Sequence, residues 1–301
     1  MTADDTTRGP LAGFDRSAAD RVTEGLVERA RADAATRVLV IVRDAVPLAA
    51  PDRILWVSPE IVPDDAAWAF LGRDPSGVPV LAAVFPAQAE ELFAAPAGWA
   101  GLRVVGGSLH PVEAEVFVTG LSLGRWLLDA AYCPACGTLC EPRNAGWSRH
   151  CPACGREHFP RTDPAVIVAI TSARDPDLLL LGSNALWESN RFSCFAGFAE
   201  AGESLEDAVH REVQEESGVR VVDVRYRGSQ AWPYPRSLML GFLATAADDD
   251  AAVADGDEIV AVRWFTRDEI GAALRGESDL RLPGPASISH RLISDWQAGR
   301  S

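Results

Sequence analysis

Carboxylates on the expected buried side of a helix are the strongest chemical feature of this sequence. Residues 197–219 read GFAEAGESLEDAVHREVQEESGV. At about 100° per residue, Glu212 and Glu216 fall within about 20° of Leu205 on the apolar side of a helix through this stretch, and Glu215 lies near the edge of that side. The apolar side therefore becomes acidic towards the end of the helix.

The same stretch contains signals for both ends of that helix. Ser204 is a suitable N-cap, with Asp207 three residues later as in a capping box, and Gly218 is a suitable C-cap. These signals predict a helix over about residues 205–217. Its apolar side consists of Leu205, Ala208, Val209 and Val213.

The clustered carboxylates need a positive partner. Acidic side chains that face inward repel one another and lose hydration, which is costly unless a cation neutralises them. Mg²⁺ and Mn²⁺ bind oxygen ligands from carboxylates and substrate phosphates, so a divalent metal site is predicted. The alternative, a solvated charged helix, explains the outer side of this helix but not the inward acids.

This stretch resembles the Nudix box, G-x5-E-x7-R-E-U-x-E-E-x-G-U, in which U is aliphatic. Every fixed position is matched, by Gly197, Glu203, Arg211, Glu212, Val213, Glu215, Glu216, Gly218 and Val219. In the Nudix superfamily this loop, helix and loop bind divalent metal and hydrolyse a nucleoside diphosphate linked to another group. The resemblance implies that Glu212 and Glu216 are metal ligands and that Glu215 is a ligand or the base. It also implies that Arg211 and Glu203 fix the helix and its loop.

Two Cys-x2-Cys pairs form a second candidate metal site. The pairs are separated by fourteen residues and consist of Cys133, Cys136, Cys151 and Cys154. This spacing is typical of a zinc ribbon, in which four thiolates hold one structural Zn²⁺ and leave no coordination position open for catalysis. Cys140 and His150 are alternative ligands. A redox role for each pair is disfavoured because two pairs occur at ribbon spacing.

A third motif, SQAWPYPRS at residues 229–237, narrows the resemblance. It is similar to the SQPWPFPxS signature of the NADH pyrophosphatase family of Nudix hydrolases, with Ala231 in place of Pro and Tyr234 in place of Phe. That family also has a β-rich N-terminal domain and a zinc ribbon before its catalytic domain. Its additional metal ligand, a Glu on the strand before a final Trp-aromatic pair, corresponds to Glu258 here.

Aromatic and polar residues near these motifs are candidates for contacting a nucleotide. The family resemblance implies such contacts for the aromatic residue after the last zinc-binding Cys and for the Phe that begins the box. Stacking on a ring stabilises a flat base by roughly 1–3 kcal/mol, and burial of a core Phe contributes a comparable amount. The sequence therefore leaves both interpretations open. The predicted substrate-binding residues are Phe198, Phe159, Gln230, Trp232, Tyr234 and Ser289.

The predicted reaction is hydrolysis of the phosphoanhydride of NADH or NAD⁺ to nicotinamide mononucleotide and AMP, with Mg²⁺ or Mn²⁺ as the catalytic metal. The same chemistry on the NAD cap of an RNA 5′ end is an alternative, as is hydrolysis of ADP-ribose or another dinucleotide. An alternative of a different class is a non-catalytic regulator that senses nucleotide and binds nucleic acid. The intact box carboxylates disfavour that regulator, and the family resemblance implies a homodimer.

Composition limits the possible partners. The chain has 301 residues, 48% of them hydrophobic and 24% charged, which is ordinary for a soluble protein of two domains. A net charge of −15, with arginine as the only long basic side chain, argues against bulk attraction to nucleic acid or to an anionic membrane. No apolar leader or membrane-length run is present, so we expect a cytoplasmic protein whose cysteines are metal ligands or buried thiols.

Apolar runs and their boundaries predict how the chain is divided. We expect a flexible arm over residues 1–15, an α+β domain over 16–131, a zinc ribbon over 132–160 and a Nudix catalytic domain over 161–301. The α+β domain has helical patterns at 16–32 and 118–131, and apolar runs typical of strands at 37–42, 53–58, 79–85 and 101–107.

The catalytic domain is predicted to contain one sheet between layers of helices. Its strands are expected at 165–171, 178–182, 191–198, 219–229, 237–245 and 258–265. TRDE at 266–269 indicates a capping box that opens a short helix, and residues 286–296 form the closing amphipathic helix. This order favours an α/β/α sandwich, so the whole chain is of the mixed α+β and α/β class.

Overall fold

The computed structural model describes residues 14–300, which divide into two compact units. The first unit ends at Arg161, and the second begins at Thr162. The arm predicted over residues 1–15 lies outside the described residues except for Phe14 and Asp15. Phe14 is fully buried, and Asp15 exchanges two backbone hydrogen bonds with Arg73, of 3.1 and 2.7 Å. These two residues are therefore packed.

A six-stranded mixed sheet forms the centre of the first unit. Its strands and helices are α1 Leu26–Ala32, β1 Arg37–Val42, β2 Ala45–Ala50, β3 Arg53–Ile54, β4 Ala67–Arg73, β5 Pro79–Phe85, β6 Trp99–Gly101, α2 Leu102–Val105 and α3 Pro111–Asp129. The strand order is β3-β2-β1-β5-β4, and β6 pairs with β2. β1 and β5 are parallel, and the other pairs are antiparallel.

Helix α3 lies close to this sheet because it presents two residues without side chains to the strands. A Cβ atom added to Gly120 would lie 2.8 Å from Leu39 Cδ2, and one added to Gly124 would lie 2.8 Å from Val84 Cγ2. Larger residues at either position would push the helix off the sheet.

Two predictions for the first unit are wrong in detail. The run at 101–107 is expected to be a strand, but only its first residue belongs to β6, and the chain then turns into α2. The helical pattern at 16–32 is interrupted, since a 3-10 turn covers Ala18–Val22 and α1 starts after Gly25. Gly25 has a left-handed φ of 67°, which a continuous right-handed helix does not allow.

Two strands of this unit are not predicted from the sequence, and one helix is longer than predicted. β2 and β4 have no counterpart among the predicted strands. They contain Pro47 and Gly72, respectively, and both residue types weaken a strand signal. The helix predicted over 118–131 begins earlier, at Pro111, because His110 caps it by accepting the backbone N–H of Val112 at 3.3 Å.

The zinc ribbon belongs to the first unit and contains a three-stranded antiparallel sheet. Its strands are β7 Glu141–Arg143, β8 Ser148–His150 and β9 Glu157–His158. Trp147 Nε1 donates a hydrogen bond to the carbonyl of Phe70 at 2.6 Å. The buried guanidinium of Arg149 donates to the carbonyls of Leu127 at 2.5 Å and Cys140 at 3.2 Å. These contacts attach the ribbon to β4 and α3.

A second mixed sheet forms the centre of the unit that begins at Thr162. Its strands and helices are β10 Asp163–Thr171, β11 Leu178–Asn184, β12 Phe195–Phe198, α4 Leu205–Ser217, β13 Val221–Trp232, β14 Ser237–Ala246, β15 Ile259–Thr266, α5 Arg267–Leu274 and α6 Ile288–Gln297. The strand order is β13-β14-β10-β11-β15, with β12 paired to β10. β10 and β14 are parallel, and the remaining pairs are antiparallel.

Side chains of β10 alternate between two cores, one on each face of this sheet. Val166 and Val168 pack in the same core as Val213 of α4, whereas Ile167 packs in the core that contains Trp296 of α6. Helix α5 contributes to the second core as well. The α/β/α sandwich is confirmed. Over residues 14–300, no helix is both long enough and apolar enough to cross a membrane.

Candidate active site and zinc ribbon

The helix predicted to carry the acids is present with the expected ends. α4 covers Leu205–Ser217, and Ser204 Oγ caps it by accepting the backbone N–H of Asp207 at 3.1 Å. Gly218 ends the helix with a φ of 68°, a conformation that glycine adopts without strain. The buried Val209 and Val213 anchor α4 to the sheet, so the acids of its last turns have a fixed position.

The guanidinium of Arg211 connects four parts of the site. Its Nε and Nη2 donate to the two carboxylate oxygens of Glu203, each at 2.8 Å. Its Nη1 donates to Glu212 Oε1 at 2.8 Å and to Glu215 Oε2 at 3.1 Å, and its Nη2 also donates to the carbonyl of Phe198 at 2.9 Å. One cation therefore sets the positions of three carboxylates and of the end of β12.

Glu203 remains ionised in this arrangement. The hydrogen bonds from Arg211 lower the pKa of the Glu203 carboxyl to about 2, and the backbone N–H of Glu200 contributes to the same effect. The bidentate pairing restricts the guanidinium to one plane, as a fork of two parallel hydrogen bonds does.

Glu212 occupies space that a side chain at residue 197 would otherwise take. A Cβ atom added to Gly197 would lie 1.9 Å from Glu212 Cδ and 2.1 Å from each carboxylate oxygen. The glycine of β12 is therefore needed for Glu212 to lie against the strand. Burial raises the pKa of Glu212, and the contact with Arg211 opposes that rise.

Glu216 is the most deeply buried carboxyl group of the site. It is 7% exposed, and its Oε2 atom is buried without a hydrogen-bond partner. Burial raises the pKa of Glu216 to about 8, with further contributions from the charges of Glu258 and Glu212, whereas the backbone N–H of Ala196 opposes the rise. A buried carboxylate with an unpaired oxygen and acidic neighbours is a favourable place for a cation.

Two residues that the sequence did not indicate position Glu258. Asn184 Nδ2 donates to Glu258 Oε1 at 3.3 Å. Asp255 Oδ1 accepts the backbone N–H of Glu258 at 2.9 Å and that of Asp257 at 2.6 Å, which closes the turn before β15. The Asp-Gly-Asp sequence of this turn is a signal that could have identified Asp255. Asn184 has no such signal, because it lies on a strand distant in sequence.

The donor atoms of the acidic site are spread apart. Among residues 14–300, groups of three or more possible ligand atoms within 4.8 Å of one another contain only cysteine and histidine. Arg211 accounts for part of this spacing, since its Nη1 lies between Glu212 and Glu215. Carboxylate oxygens, one of them unpaired at Glu216, are nevertheless the donor type that fits a hard divalent cation.

The predicted aromatic contacts lie in different environments. Phe198 ends β12 and is 55% exposed, so its ring is accessible to a ligand. Trp232 and Tyr234 are both half-buried, and their rings meet edge to face with centroids 5.4 Å apart. Phe159 follows β9 in the first unit and is 47% exposed.

Gln230 and Ser289 have internal partners. Gln230 Nε2 donates to the carbonyl of Ala286 at 2.8 Å, and its Oε1 accepts the backbone N–H of Ile288 at 2.7 Å. The Ser289 hydroxyl is buried and shares a hydrogen bond of 2.8 Å with that of Ser193. Both side chains therefore hold the start of α6, and a direct contact of either one with substrate remains a prediction.

The four ribbon cysteines have the geometry of a tetrahedral zinc site. Their sulfur atoms lie within 4.8 Å of one another, with 3.7 Å between those of Cys133 and Cys154 and 3.5 Å between those of Cys136 and Cys151. A Zn–S bond of about 2.3 Å requires tetrahedral sulfurs to be about 3.8 Å apart. The donor set therefore fits a structural Zn²⁺. His150 does not take part in any such group among residues 14–300.

Comparisons with known proteins identify both the unit with the acidic helix and the cysteine ribbon. Residues 161–283 match the family model of the NUDIX domain, and residues 129–159 match that of the NADH pyrophosphatase zinc ribbon domain.

Similar proteins are found in bacteria and in animals. NAD-capped RNA hydrolase NudC of Mycobacterium tuberculosis (strain ATCC 25618 / H37Rv) is 40% identical over 240 residues, which are 76% of this chain and 75% of that protein. NAD-capped RNA hydrolase NUDT12 of Homo sapiens is 37% identical over 198 residues, 62% of this chain and 42% of that protein. A solved NUDIX hydrolase from Nitrosomonas europaea is 22% identical, with a TM-score of 0.41, and covers 56% of this chain and 91% of its own.

An α/β/α sandwich with a complete Nudix box on its helix defines a divalent-metal hydrolase of the Nudix class. The match to the NADH pyrophosphatase zinc ribbon and the 40% identity to the mycobacterial protein over three quarters of both chains indicate one family within this class. The chain belongs to the NudC family of Nudix hydrolases, as the sequence predicts.

The close approach of Glu212 to β12 makes Gly197 a sensitive position. We expect Gly197→Ala to displace the Glu212 carboxylate and to lower the rate of pyrophosphate hydrolysis by about 10–100-fold, since small displacements of reacting groups have effects of that size. Gly284→Ala is the matched control, because an added Cβ there meets nothing within 4 Å. Initial rates and melting temperatures of both variants test this expectation. Equal rates for the two variants would contradict it.

Proposed function

We propose that this chain is an NAD(H) diphosphatase, which hydrolyses the pyrophosphate of NADH or NAD⁺ to nicotinamide mononucleotide and AMP. The observation that carries the proposal is the buried carboxyl group of Glu216. One of its oxygens has no hydrogen-bond partner and other acids lie nearby, so this position suits a divalent cation. The SQAWPYPRS motif at residues 229–237 supports a nicotinamide dinucleotide as the substrate.

Four glutamates are the proposed ligands of Mg²⁺ or Mn²⁺. They are Glu212, Glu215, Glu216 and Glu258. Ions bound there would neutralise the substrate phosphates, lower the pKa of the attacking water and stabilise charge on the leaving phosphate.

The protein itself contributes positioning and proton transfer. Arg211 holds Glu212 and Glu215 at fixed separations, and Glu203 keeps the guanidinium oriented. Glu215 has a side chain that is 60% exposed, so it can exchange a proton with solvent. Glu215 and Glu216 are both candidates for the group that accepts the proton of the attacking water.

The proposed nucleotide contacts are the rings of Phe198, Trp232 and Tyr234, together with Phe159. The exposure of Phe198 supports its role, because an exposed ring can stack on a base at little cost. Gln230 and Ser289 would act through the start of α6, which both of them hold.

Removal of an NAD cap from RNA is a second candidate function. It is favoured by the two relatives named above, both of which are NAD-capped RNA hydrolases. The reacting phosphoanhydride is the same in free NAD and in the cap. A net charge of −15 argues that the cap and not bulk attraction to phosphates would provide most of the affinity. Our proposal also includes a homodimer, which the family resemblance supports, and a cytoplasmic location.

Product analysis distinguishes these substrates. With Mg²⁺ or Mn²⁺, we expect NADH to be converted to equimolar AMP and reduced nicotinamide mononucleotide, with a higher kcat/KM than that for ADP-ribose. Parallel assays with NAD-capped RNA and with 5′-triphosphate RNA of the same sequence measure removal of the NAD cap. Efficient turnover of ADP-ribose without turnover of either NAD-containing substrate would refute both.

Because Glu203 fixes the orientation of Arg211, we expect a substitution at Glu203 to lower both activity and metal affinity. Glu203→Gln keeps the shape of the side chain but removes the charge, so Arg211 should turn towards Glu212 and Glu215 and compete with the metal. Loss of a group that orients metal ligands typically costs about 10–100-fold in activity or metal affinity. We expect kcat to fall within this range and half-activation to require more Mn²⁺. Glu206→Gln, an exposed position in the first turn of α4, is the control and should behave as wild type.

A further inference from the structure

The zinc ribbon contains more metal-binding side chains than a single four-cysteine site uses. A fifth cysteine, Cys140, is 4% exposed and forms one buried cluster with Cys133 and Cys151. His158 of β9 lies close to Cys133 and Cys140. The donor atoms of Cys133, Cys140 and His158 all lie within 4.8 Å of one another. Cys133 is therefore shared between two possible groups of ligands.

The strand pairing of the ribbon brings these residues together. Cys140 precedes β7 directly, and β7 pairs with β8 so that Glu141 lies opposite His150. On the other side of β8, His158 of β9 lies opposite Arg149. Arg149 also donates to the carbonyl of Cys140 at 3.2 Å, which fixes the backbone at this position. The arrangement is thus determined by the backbone hydrogen bonds of the sheet and by one buried guanidinium.

The imidazole of His158 has an unused donor atom. Its Nε2 is buried and has no hydrogen-bond partner, which is rare for a buried polar atom. The Cys140 thiol lies beside the sulfurs of Cys133 and Cys151 and forms a weak hydrogen bond of 3.7 Å with the carbonyl of Thr138. A metal ion would satisfy the imidazole nitrogen and both sulfurs at once, whereas a purely structural histidine would be expected to have a partner.

We propose that Cys133, Cys140 and His158 form a second metal site, which binds a thiophilic d¹⁰ ion such as Zn²⁺ or Cd²⁺ beside the four-cysteine zinc. The Cys133 sulfur bridges the two ions, because a thiolate has lone pairs for both. Sulfur and imidazole ligands suit this class of ion and not Mg²⁺ or Ca²⁺. A water molecule can take the fourth position, which is open in this site and closed in the other.

Binding of the second metal ion changes the protonation state of one side chain only. Cys133 is already a thiolate on the first ion, and His158 binds as the neutral imidazole. Binding of the second ion therefore releases one proton, that of the Cys140 thiol. The ion would connect β9 to the residue before β7, so it should restrict the two outer strands of the ribbon.

Metal counting on the full chain tests this proposal. The reduced, metal-free protein is titrated with Cd²⁺, and sulfur-bound ions are counted by their thiolate charge-transfer absorbance and by ¹¹³Cd NMR. Both readouts separate these ions from any ion held by carboxylates. We expect two sulfur-bound ions per wild-type chain. His158→Ala and Cys140→Ala should each bind one and keep the resonance of the four-cysteine site.

The matched control is His150→Ala, which removes a half-buried ribbon histidine outside both groups and should leave two ions. If the Cys140→Ala chain fails to fold, His158→Ala and the wild-type count still decide the result. A single sulfur-bound ion in the wild type at saturating Cd²⁺ would overturn the proposal. So would a second ion that persists in His158→Ala.

Discussion

The bidentate ion pair between Arg211 and Glu203 is the interaction on which the acidic site depends. It fixes the guanidinium plane, and that plane in turn sets Glu212 and Glu215 through the remaining N–H groups. Glu216 and Glu258 are the exceptions, because the hydrogen bonds of Arg211 go to Glu203, Glu212 and Glu215 instead. Glu258 is exposed and accepts a hydrogen bond from Asn184, whereas Glu216 is buried with one oxygen unpaired. The site therefore combines carboxylates that Arg211 neutralises with two that it does not, one of them buried. This difference explains how an acidic helix can be stable and still attract a cation.

Two kinds of metal chemistry are separated along the chain by the type of ligand. The ribbon has soft sulfur donors at tetrahedral spacing, which hold an ion tightly and leave little room for substrate. The Nudix helix has hard oxygen donors that are spread apart, which leaves space for phosphate oxygens to complete the coordination. The ribbon is attached to its own unit by Trp147 and Arg149, so its contribution is to stability. The proposed hydrolysis would use only the ions that the carboxylates of the Nudix helix and of Glu258 hold.

The sequence predicted the features that depend on local chemistry. The ends of α4 follow from Ser204 and Gly218, and a sheet between two layers of helices follows from the order of the strand and helix patterns. Features that depend on distant contacts were missed. Asn184 on β11 donates to Glu258 just before the neighbouring strand β15, and Gln230 is hydrogen-bonded to backbone groups at the start of α6. Neither partner could be identified from spacing, because each lies more than fifty residues away. The run at 101–107 forms mainly the short helix α2 and not the predicted strand, because a short apolar run suits either structure.

Mn²⁺ binding to wild type and to Glu216→Gln tests the central claim most directly. The substitution keeps the size of the side chain and removes the negative charge that a bound cation would neutralise. Electron paramagnetic resonance titration of free Mn²⁺ should show an affinity at least about tenfold weaker for Glu216→Gln, since the loss of even an outer partner of a metal ligand has an effect of that order. Glu206→Gln should bind as wild type does. An unchanged Mn²⁺ affinity in Glu216→Gln would contradict the account.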